Sequence, residues 1–147
     1  MARKLEAFLD QGAGSCILSQ PRIADTVASA LKQFDGTRYK MLAWCVMPNH
    51  VHLVFQPLGE YDLAGILHAW KSFTSVEINR LLSRSGPLWQ KEYYDHLIRD
   101  GAQLKRAICY TTENPIKARM QNWQSVYVSA EAFGGPGKVE GWKSHSR

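Results

Sequence analysis

The predicted fold is decided by the stretch Met47-Pro48-Asn49-His50-Val51-His52-Leu53-Val54-Phe55. Proline and asparagine end one extended segment, and the residues after them alternate in polarity as a half-buried strand does. On such a strand, Val51, Leu53 and Phe55 point to one side, and His50 and His52 point to the other. We therefore predict a strand with one face in a core and its histidine face open.

Patterns on both sides of this strand predict the other elements. Residues 38–46 are aromatic and apolar, and the short connection makes them an antiparallel partner strand. Apolar residues at helical spacing predict helices from about 20 to 34 and from 62 to 82. Residues 88–98 are extended and aromatic, which predicts a third strand. Asp100 and Gln103 then form a capping-box-like start to a last helix, about 100–113, which Pro115 limits.

The order helix, strand, strand, helix, strand, helix predicts an α+β domain. Its sheet should be antiparallel and ferredoxin- or RRM-like, with the helices packed on one face. Residues 1–15 show only a weak helical pattern at Leu5, Phe8 and Leu9. We expect a single domain over residues 1–133, followed by a glycine-containing flexible tail over 134–147.

Composition narrows the functional class. The chain has 147 residues, of which 45% are hydrophobic and 21% charged, as in a soluble globular domain. Neither a membrane span nor a signal peptide is visible, so we expect a cytoplasmic protein without membrane contact.

The scattered Cys16, Cys45 and Cys109 predict reduced thiols. A net charge of +5, with five Trp and six Tyr, suits a partner that offers phosphates and unpaired bases.

The pair His50 and His52 is a candidate metal site. Two imidazoles that project from the same face of a strand can hold one divalent cation. Ordinary surface or packing histidines are the alternative, and a His-x-His pattern alone does not exclude it.

The last predicted helix carries a candidate nucleophile. We assign its core face to Leu104, Ala107, Ile108 and Thr111. Tyr110 and Asn114 then lie one turn apart on a flank that could lean over the edge of the sheet, toward the histidines. The phenol could attack a group held by the metal, and the amide oxygen of Asn114 could be a third ligand. A tyrosine that merely closes the seam between helix and sheet is the alternative.

Taken together, four segments resemble the REP-associated tyrosine transposases, HUH-type single-tyrosine enzymes related to the IS200/IS605 group. The segments are MPNHVHLV at 47–54, WKSFT at 70–74, GPLWQKEYYDHLIRD at 86–100 and YTTENPIKA at 110–118. The resemblance covers about residues 16–120, with the motifs in order and at family-like spacing. It implies Tyr110 as nucleophile, His50 and His52 as metal ligands, and Asn114 as a third, polar ligand.

The resemblance also implies a reaction. The substrate would be single-stranded DNA next to a hairpin formed by a repeated palindrome. Mg²⁺ or Mn²⁺ would draw charge from the scissile phosphate while Tyr110 attacks phosphorus, giving a 5′-phosphotyrosine and a free 3′-hydroxyl. A hydroxyl could reverse the step without ATP. We therefore expect DNA transposition, a form of DNA recombination, or the processing of repeated palindromic elements, by an enzyme that is a monomer or a homodimer.

Basic and aromatic residues are candidates for binding the DNA strand. Side chains that could contact backbone phosphates are Lys71, Arg80, Lys91, Arg99, Lys105, Arg106 and Lys117. Trp89 and Tyr93 could stack on unpaired bases. For each cation, an ordinary solvated surface position is the alternative.

Departures from the family pattern keep other functions open. Members usually open with a strand before the first helix, and none is visible before Ser19, so the usual first strand is expected to be missing. Residues 119–125 also differ from the family's C-terminal motif. A module that binds single-stranded nucleic acid without cutting it is therefore an alternative. A metal-dependent hydrolase that uses His50 and His52 but ignores Tyr110 is another.

Overall fold

The computed structural model describes residues 3–11, 16–91, 93–117 and 125–129. Within these ranges, five strands and three α-helices follow one another, so the predicted α+β class is confirmed. They are β1 (Lys4–Asp10), α1 (Pro21–Gln33), β2 (Tyr39–Val46), β3 (His50–Pro57), α2 (Leu63–Leu81), β4 (Tyr94–Ile98), α3 (Gly101–Lys117) and β5 (Val126–Val128). A short 3-10 turn, Ile17–Ser19, precedes α1.

The strands form one antiparallel sheet in the order β4-β1-β3-β2-β5. Its first four strands, with α1 and α2, have the βαββαβ connectivity of a ferredoxin-like fold. The histidine strand β3 and its neighbour β1 are both interior strands, so residues on these two strands have fixed neighbours on both sides.

The prediction that the first strand is missing is wrong. Residues 4–10 form β1, which pairs with β3 from Leu5↔Phe55 to Asp10↔His50 and with β4 on its other side. Leu5, Ala7 and Leu9 are buried in the core, whereas Phe8 belongs to the opposite face. The apparent helical spacing of Leu5, Phe8 and Leu9 misled because it combined residues from the two faces.

The larger core lies between the sheet and the helices α1 and α2. Val51, Leu53 and Phe55 enter it from alternate positions of β3, as predicted. The few polar groups here are bonded to one another: Trp70 Nε1 donates to Tyr39 Oη at 3.0 Å, and Tyr39 Oη donates to the carbonyl of Leu31. Apolar packing therefore fixes this side of β3.

The third helix packs on the opposite face, which corrects the prediction that all helices share one face. Its predicted core residues do face the sheet, where Leu104, Ala107 and Ile108 pack against a second apolar cluster that includes Leu42 and Val54. Hydrophobic spacing tells which side of a helix is buried but not which side of a sheet receives it. The sequence did carry one sign of a helix on each face, the nearly continuous apolar run of β2. A strand that is covered on both faces does not alternate between polar and apolar residues.

The start of α3 is as predicted, but its end is not. Gln103 N donates to Asp100 Oδ1 at 2.8 Å, and Arg99 N donates to Gln103 Oε1 at 2.7 Å, which is the expected capping arrangement. The helix continues past Pro115 to Lys117, although an interior proline removes one backbone donor. The predicted tail, 134–147, lies outside the described residues.

Two compositional predictions can be compared with the structure. Within the described ranges, no helix is long and apolar enough to span a membrane. Cys16, Cys45 and Cys109 are all free thiols, as expected. Burial raises the pKa of the Cys45 thiol to about 12, so this cysteine is chemically inert.

Candidate active site

The side of β1 and β3 that α3 covers carries the predicted metal ligands. We call it the histidine face; its central residues are Glu6, Phe8, Asp10, His50 and His52. Strand register sets their spacing, because Phe8 lies directly across from His52, and Asp10 lies across from His50. The prediction of an open histidine face is corrected, since α3 lies over it and buries His52 completely, to 0% exposure.

His52 is held through both ring nitrogens. Thr111 Oγ1 lies 2.7 Å from His52 Nδ1 and 2.7 Å from the carbonyl of Ala107. The other nitrogen, Nε2, is hydrogen-bonded to Glu6 Oε2 at 2.8 Å. Metal-binding histidines are commonly oriented by a hydrogen bond at the nitrogen that does not bind the metal. Because Nδ1 is bonded to Thr111 on α3, Nε2 is the nitrogen of His52 that could act as a ligand.

His50 lies at the rim of the same face and is partly buried. Its Nδ1 lies 3.0 Å from the amide oxygen of Asn49, which can only accept, so Nδ1 carries the hydrogen and Nε2 carries the lone pair. Burial lowers the pKa of His50, and the nearby His52 lowers it further, although Asp10 opposes the change. These effects favour the neutral ring that a metal requires.

Tyr110 lies beside the buried histidine. The centroids of the Tyr110 and His52 rings are 5.2 Å apart in an edge-on contact, and the tyrosine is 43% exposed. Phe8 completes the group: it stacks on His52 at 4.3 Å and contacts the edge of Tyr110 at 6.2 Å. Because Thr111, the next residue along α3, is bonded to His52, the helix is tied to β3 next to the phenol.

Glu6 was missed by sequence reasoning, although it lies at the centre of this group. Its carboxylate is between two imidazoles, with Oε2 at 2.8 Å from His52 Nε2 and Oε1 at 3.9 Å from His96 Nδ1. Recognition of the alternation of Leu5, Ala7 and Leu9 as a strand would have put Glu6 on the opposite face. Tyr94, on the neighbouring strand β4, is 60% exposed and contacts Phe8.

The donor set suits a divalent cation. Two imidazoles and an adjacent carboxylate are ligands that transition metals accept. In the part of the chain that the structure describes, no three His, Cys, Asp or Glu side chains already converge as a complete cage. Asn114 lies in α3 one turn after Tyr110, but its side chain lies outside the described residues.

Three of the predicted DNA-binding residues make contacts within the protein. Trp89 is only 8% exposed and donates its indole N–H to Thr74 at 2.8 Å, so its ring is packed inside the fold in this structure, and its stacking on a base stays a prediction. Lys71 Nζ donates to the carbonyls of Gln90 at 2.8 Å and Lys91 at 3.3 Å, which fixes the segment before β4. Arg80 is paired with Glu77 at 2.8 Å on the surface of α2.

The other predicted DNA-binding residues remain candidates. The exposed ones are Lys91, Tyr93, Arg99, Lys105 and Arg106. Arg106 is one helical turn before Tyr110, so its guanidinium starts from the same flank of α3. Lys71 lies over the ring of Tyr93 at 5.3 Å. The side chain of Lys117 lies outside the described residues.

Comparisons of sequence agree with this arrangement. The family model described as "Transposase IS200 like" matches residues 18–114, which include the histidine strand and Tyr110. A protein of Haemophilus influenzae, named as a proposed REP-associated tyrosine transposase, is 30% identical over 100 residues. The aligned part is 60% of this chain and 57% of that protein, so the chain spans a little over half of its relative's length.

Comparisons of structure point the same way. A REP-associated tyrosine transposase bound to a REP hairpin has a TM-score of 0.62 at 19% identity, over 81% of this chain and 69% of that one. A proposed transposase from Deinococcus radiodurans R1 has a TM-score of 0.57 at 17% identity, over 76% and 92% of the two chains. At these identities the likeness shows a shared fold.

Proposed function

Since the chain belongs to the IS200-like transposase family, we propose that it cuts and rejoins single-stranded DNA through a covalent bond between Tyr110 and a 5′ phosphate. The observation that carries this proposal is the contact between an exposed tyrosine and a buried histidine, 5.2 Å apart as ring centroids. The exposed phenol can reach a strand from solvent. The buried ring can act only on a group that reaches the histidine face.

In the proposed reaction, the phenol oxygen of Tyr110 forms a bond to phosphorus, and the bond from phosphorus to the 3′ oxygen breaks. The phenol loses its proton, and the departing 3′ oxygen gains one. One phosphate ester replaces another, so a 3′-hydroxyl can reverse the step without ATP. Retention of the phosphate on the protein distinguishes this reaction from hydrolysis.

We propose that His50 and His52 hold a divalent metal, with Asn114 as a further, polar ligand. The ion would supply positive charge to the non-bridging oxygens of the scissile phosphate. Mg²⁺ prefers oxygen ligands, whereas Mn²⁺ also accepts imidazole, so the two histidines suit Mn²⁺ well. The protein would orient the two rings through their hydrogen bonds to Asn49 and Thr111.

The proposed partner is single-stranded DNA next to a hairpin. One structural neighbour was solved with a REP hairpin, which motivates the choice of ligand. Arg106 would contact a phosphate near the scissile one, because it is one turn from Tyr110; Lys91, Arg99, Lys105 and Lys117 would contact others. Tyr93 lines an open groove of about 520 Å³ between α2 and residues 87–93, where a base could stack. A cytoplasmic location and a monomeric or homodimeric state stay predictions.

Two alternatives are outcomes of the same experiment. The non-cleaving binding module was favoured by a missing first strand, and β1 removes that reason. The metal-dependent hydrolase would use His50 and His52 without Tyr110. Both alternatives predict that no DNA remains covalently attached to the protein.

The test is to trap the covalent adduct. A labelled oligonucleotide with a hairpin and single-stranded flanks is incubated with the protein in Mn²⁺, and the products are separated under denaturing conditions. We expect a labelled protein band with the parent and with Tyr61→Phe, an exposed tyrosine in the loop before α2, and no such band with Tyr110→Phe. Affinity for DNA should stay within a few-fold. Free 5′-phosphate without adduct would indicate a hydrolase; binding without cleavage would indicate a binding module.

A further inference from the structure

Resting on the proposed function, we propose that Glu6 is a ligand of the metal ion, supplied by β1 from beside the histidine strand. Its place in the sheet is fixed, because Glu6 lies on an interior strand whose register with β3 puts Phe8 across from His52. The metal would then take ligands from two adjacent strands of the sheet.

The first support is the spacing of the atoms. Glu6 Oε2 and His52 Nε2 are 2.8 Å apart. Two ligands at right angles around one ion, each with a bond of about 2.1 Å, lie about 3.0 Å from each other. The pair is therefore already separated as two neighbouring ligands of one metal are, and binding requires little movement of either side chain.

The second support is the chemistry of the two facing atoms. His52 Nε2 and Glu6 Oε2 are joined by a hydrogen bond, so one hydrogen lies between a nitrogen and an oxygen that can each bind a metal once that hydrogen has left. A divalent cation would replace the hydrogen and bind both atoms, whereas an amide at this position would not supply negative charge.

The third support is the surroundings of the carboxylate. The Glu6 side chain is 17% exposed, and His96 Nδ1 lies 3.9 Å from its Oε1. Phe8, two residues along β1 on the same face, stacks on His52 and shields that ring from solvent. Glu6 therefore has the position and the charge of a ligand in a partly desolvated site.

The test measures Mn²⁺ binding by calorimetry, without DNA, for the parent and for Glu6→Gln and Asp10→Asn. Glu6→Gln keeps size and can donate its amide N–H to His52, so the fold should be retained. Asp10→Asn is the matched control, because it removes the same charge from the same face, across from His50. We expect Glu6→Gln to weaken binding by roughly 10–100-fold or more, and Asp10→Asn by only a few-fold.

Two results would overturn the inference while leaving the proposed function intact. One is that Glu6→Gln binds Mn²⁺ like the parent while His50→Ala does not. The other is that Asp10→Asn weakens binding as much as Glu6→Gln, which would indicate a general effect of charge. If Glu6→Gln melts below the parent, Glu6→Asp, which keeps the carboxylate, should recover part of the affinity. A parent protein that binds no Mn²⁺ would contradict both proposals.

Discussion

The two faces of the sheet are built on different principles. Under α1 and α2, the buried side chains are almost all apolar, and the polar pair Tyr39 and Trp70 bonds within itself and to the backbone. Under α3, an apolar cluster around Val54 and Ile108 ends where Glu6, His52 and Thr111 begin. The first face is positioned by packing; the second is positioned, at its polar end, by hydrogen bonds.

Because of this difference, neighbouring residues of one strand contribute to different properties: one to the stability of the fold and the next to the proposed reaction. Leu53 and His52 are adjacent in β3, yet one supports the core and the other supports the proposed reaction. Substitutions on the two faces should therefore have different consequences. The core face should control the free energy of unfolding, and the histidine face should control binding of metal and formation of the adduct.

The largest effect on stability is expected from Phe55→Ala. Phe55 is fully buried and makes edge contacts with the rings of Tyr39 at 6.3 Å and Trp70 at 5.2 Å. Its truncation should lower the free energy of unfolding by about 3–5 kcal/mol, measured by urea denaturation. Val76→Ala, on the exposed side of α2, should leave that free energy unchanged. Equal losses for the two variants would contradict the assignment of the core.

The histidine variants should sharpen the comparison. His50→Ala and His52→Ala should both lose Mn²⁺ in a titration. In thermal and urea unfolding, His52→Ala should also cost about 1–3 kcal/mol, because it leaves the buried Thr111 and Glu6 without their partner. His50→Ala, at the rim, should cost much less. Asn114→Ala should weaken metal binding only mildly, since water can replace an amide oxygen.

Tyr110→Phe, which keeps both histidine rings of the proposed site, should bind Mn²⁺ like the parent. A strong loss of Mn²⁺ in the histidine variants, a mild loss in Asn114→Ala and none in Tyr110→Phe would indicate a metal site. A general folding defect would instead reduce every measured property at once. If both histidine variants retain the parent's affinity for Mn²⁺, the histidines are not the ligands and the proposed mechanism fails.

The smallest expected effect concerns the surface cations. If Arg106 contacts a phosphate, Arg106→Gln should reduce the slope of log affinity against log salt by about 0.7 for single-stranded DNA. Arg80→Gln is the control, because Arg80 is already paired with Glu77 on α2, and it should leave the slope unchanged. Equal slopes for the parent and both variants would remove Arg106 from the proposed DNA contact.

Sequence reasoning placed the elements whose patterns arise from one buried face. Both α1 and α2 have such a face, and β3 alternates cleanly, so their positions followed from spacing alone. Strand β1 was missed because Phe8 is an apolar residue on the otherwise polar face, which hid the alternation. The side on which α3 packs is a tertiary property, and the core residues of that helix do not encode it.

The same limits apply to the candidate site. His50, His52 and Tyr110 were identified from motifs, and the structure brings Tyr110 and His52 together. Glu6 belongs to no motif, and Thr111 was predicted only as part of the helix's core face. Strand register and helix packing bring both of them to His52. Trp89 and Lys71 were assigned to DNA from residue type, but burial and backbone hydrogen bonds give them structural roles.

The central claim is that the tyrosine beside His52 is the nucleophile. The most direct test is to digest the trapped protein–DNA adduct and to locate the modified residue by mass spectrometry. We predict that a nucleotide is attached through its 5′ phosphate to Tyr110 and to no other tyrosine. Tyr94 is the sharpest alternative, because it is 60% exposed and also contacts Phe8. A nucleotide on Tyr94 or Tyr93, with Tyr110 unmodified, would contradict the proposed function.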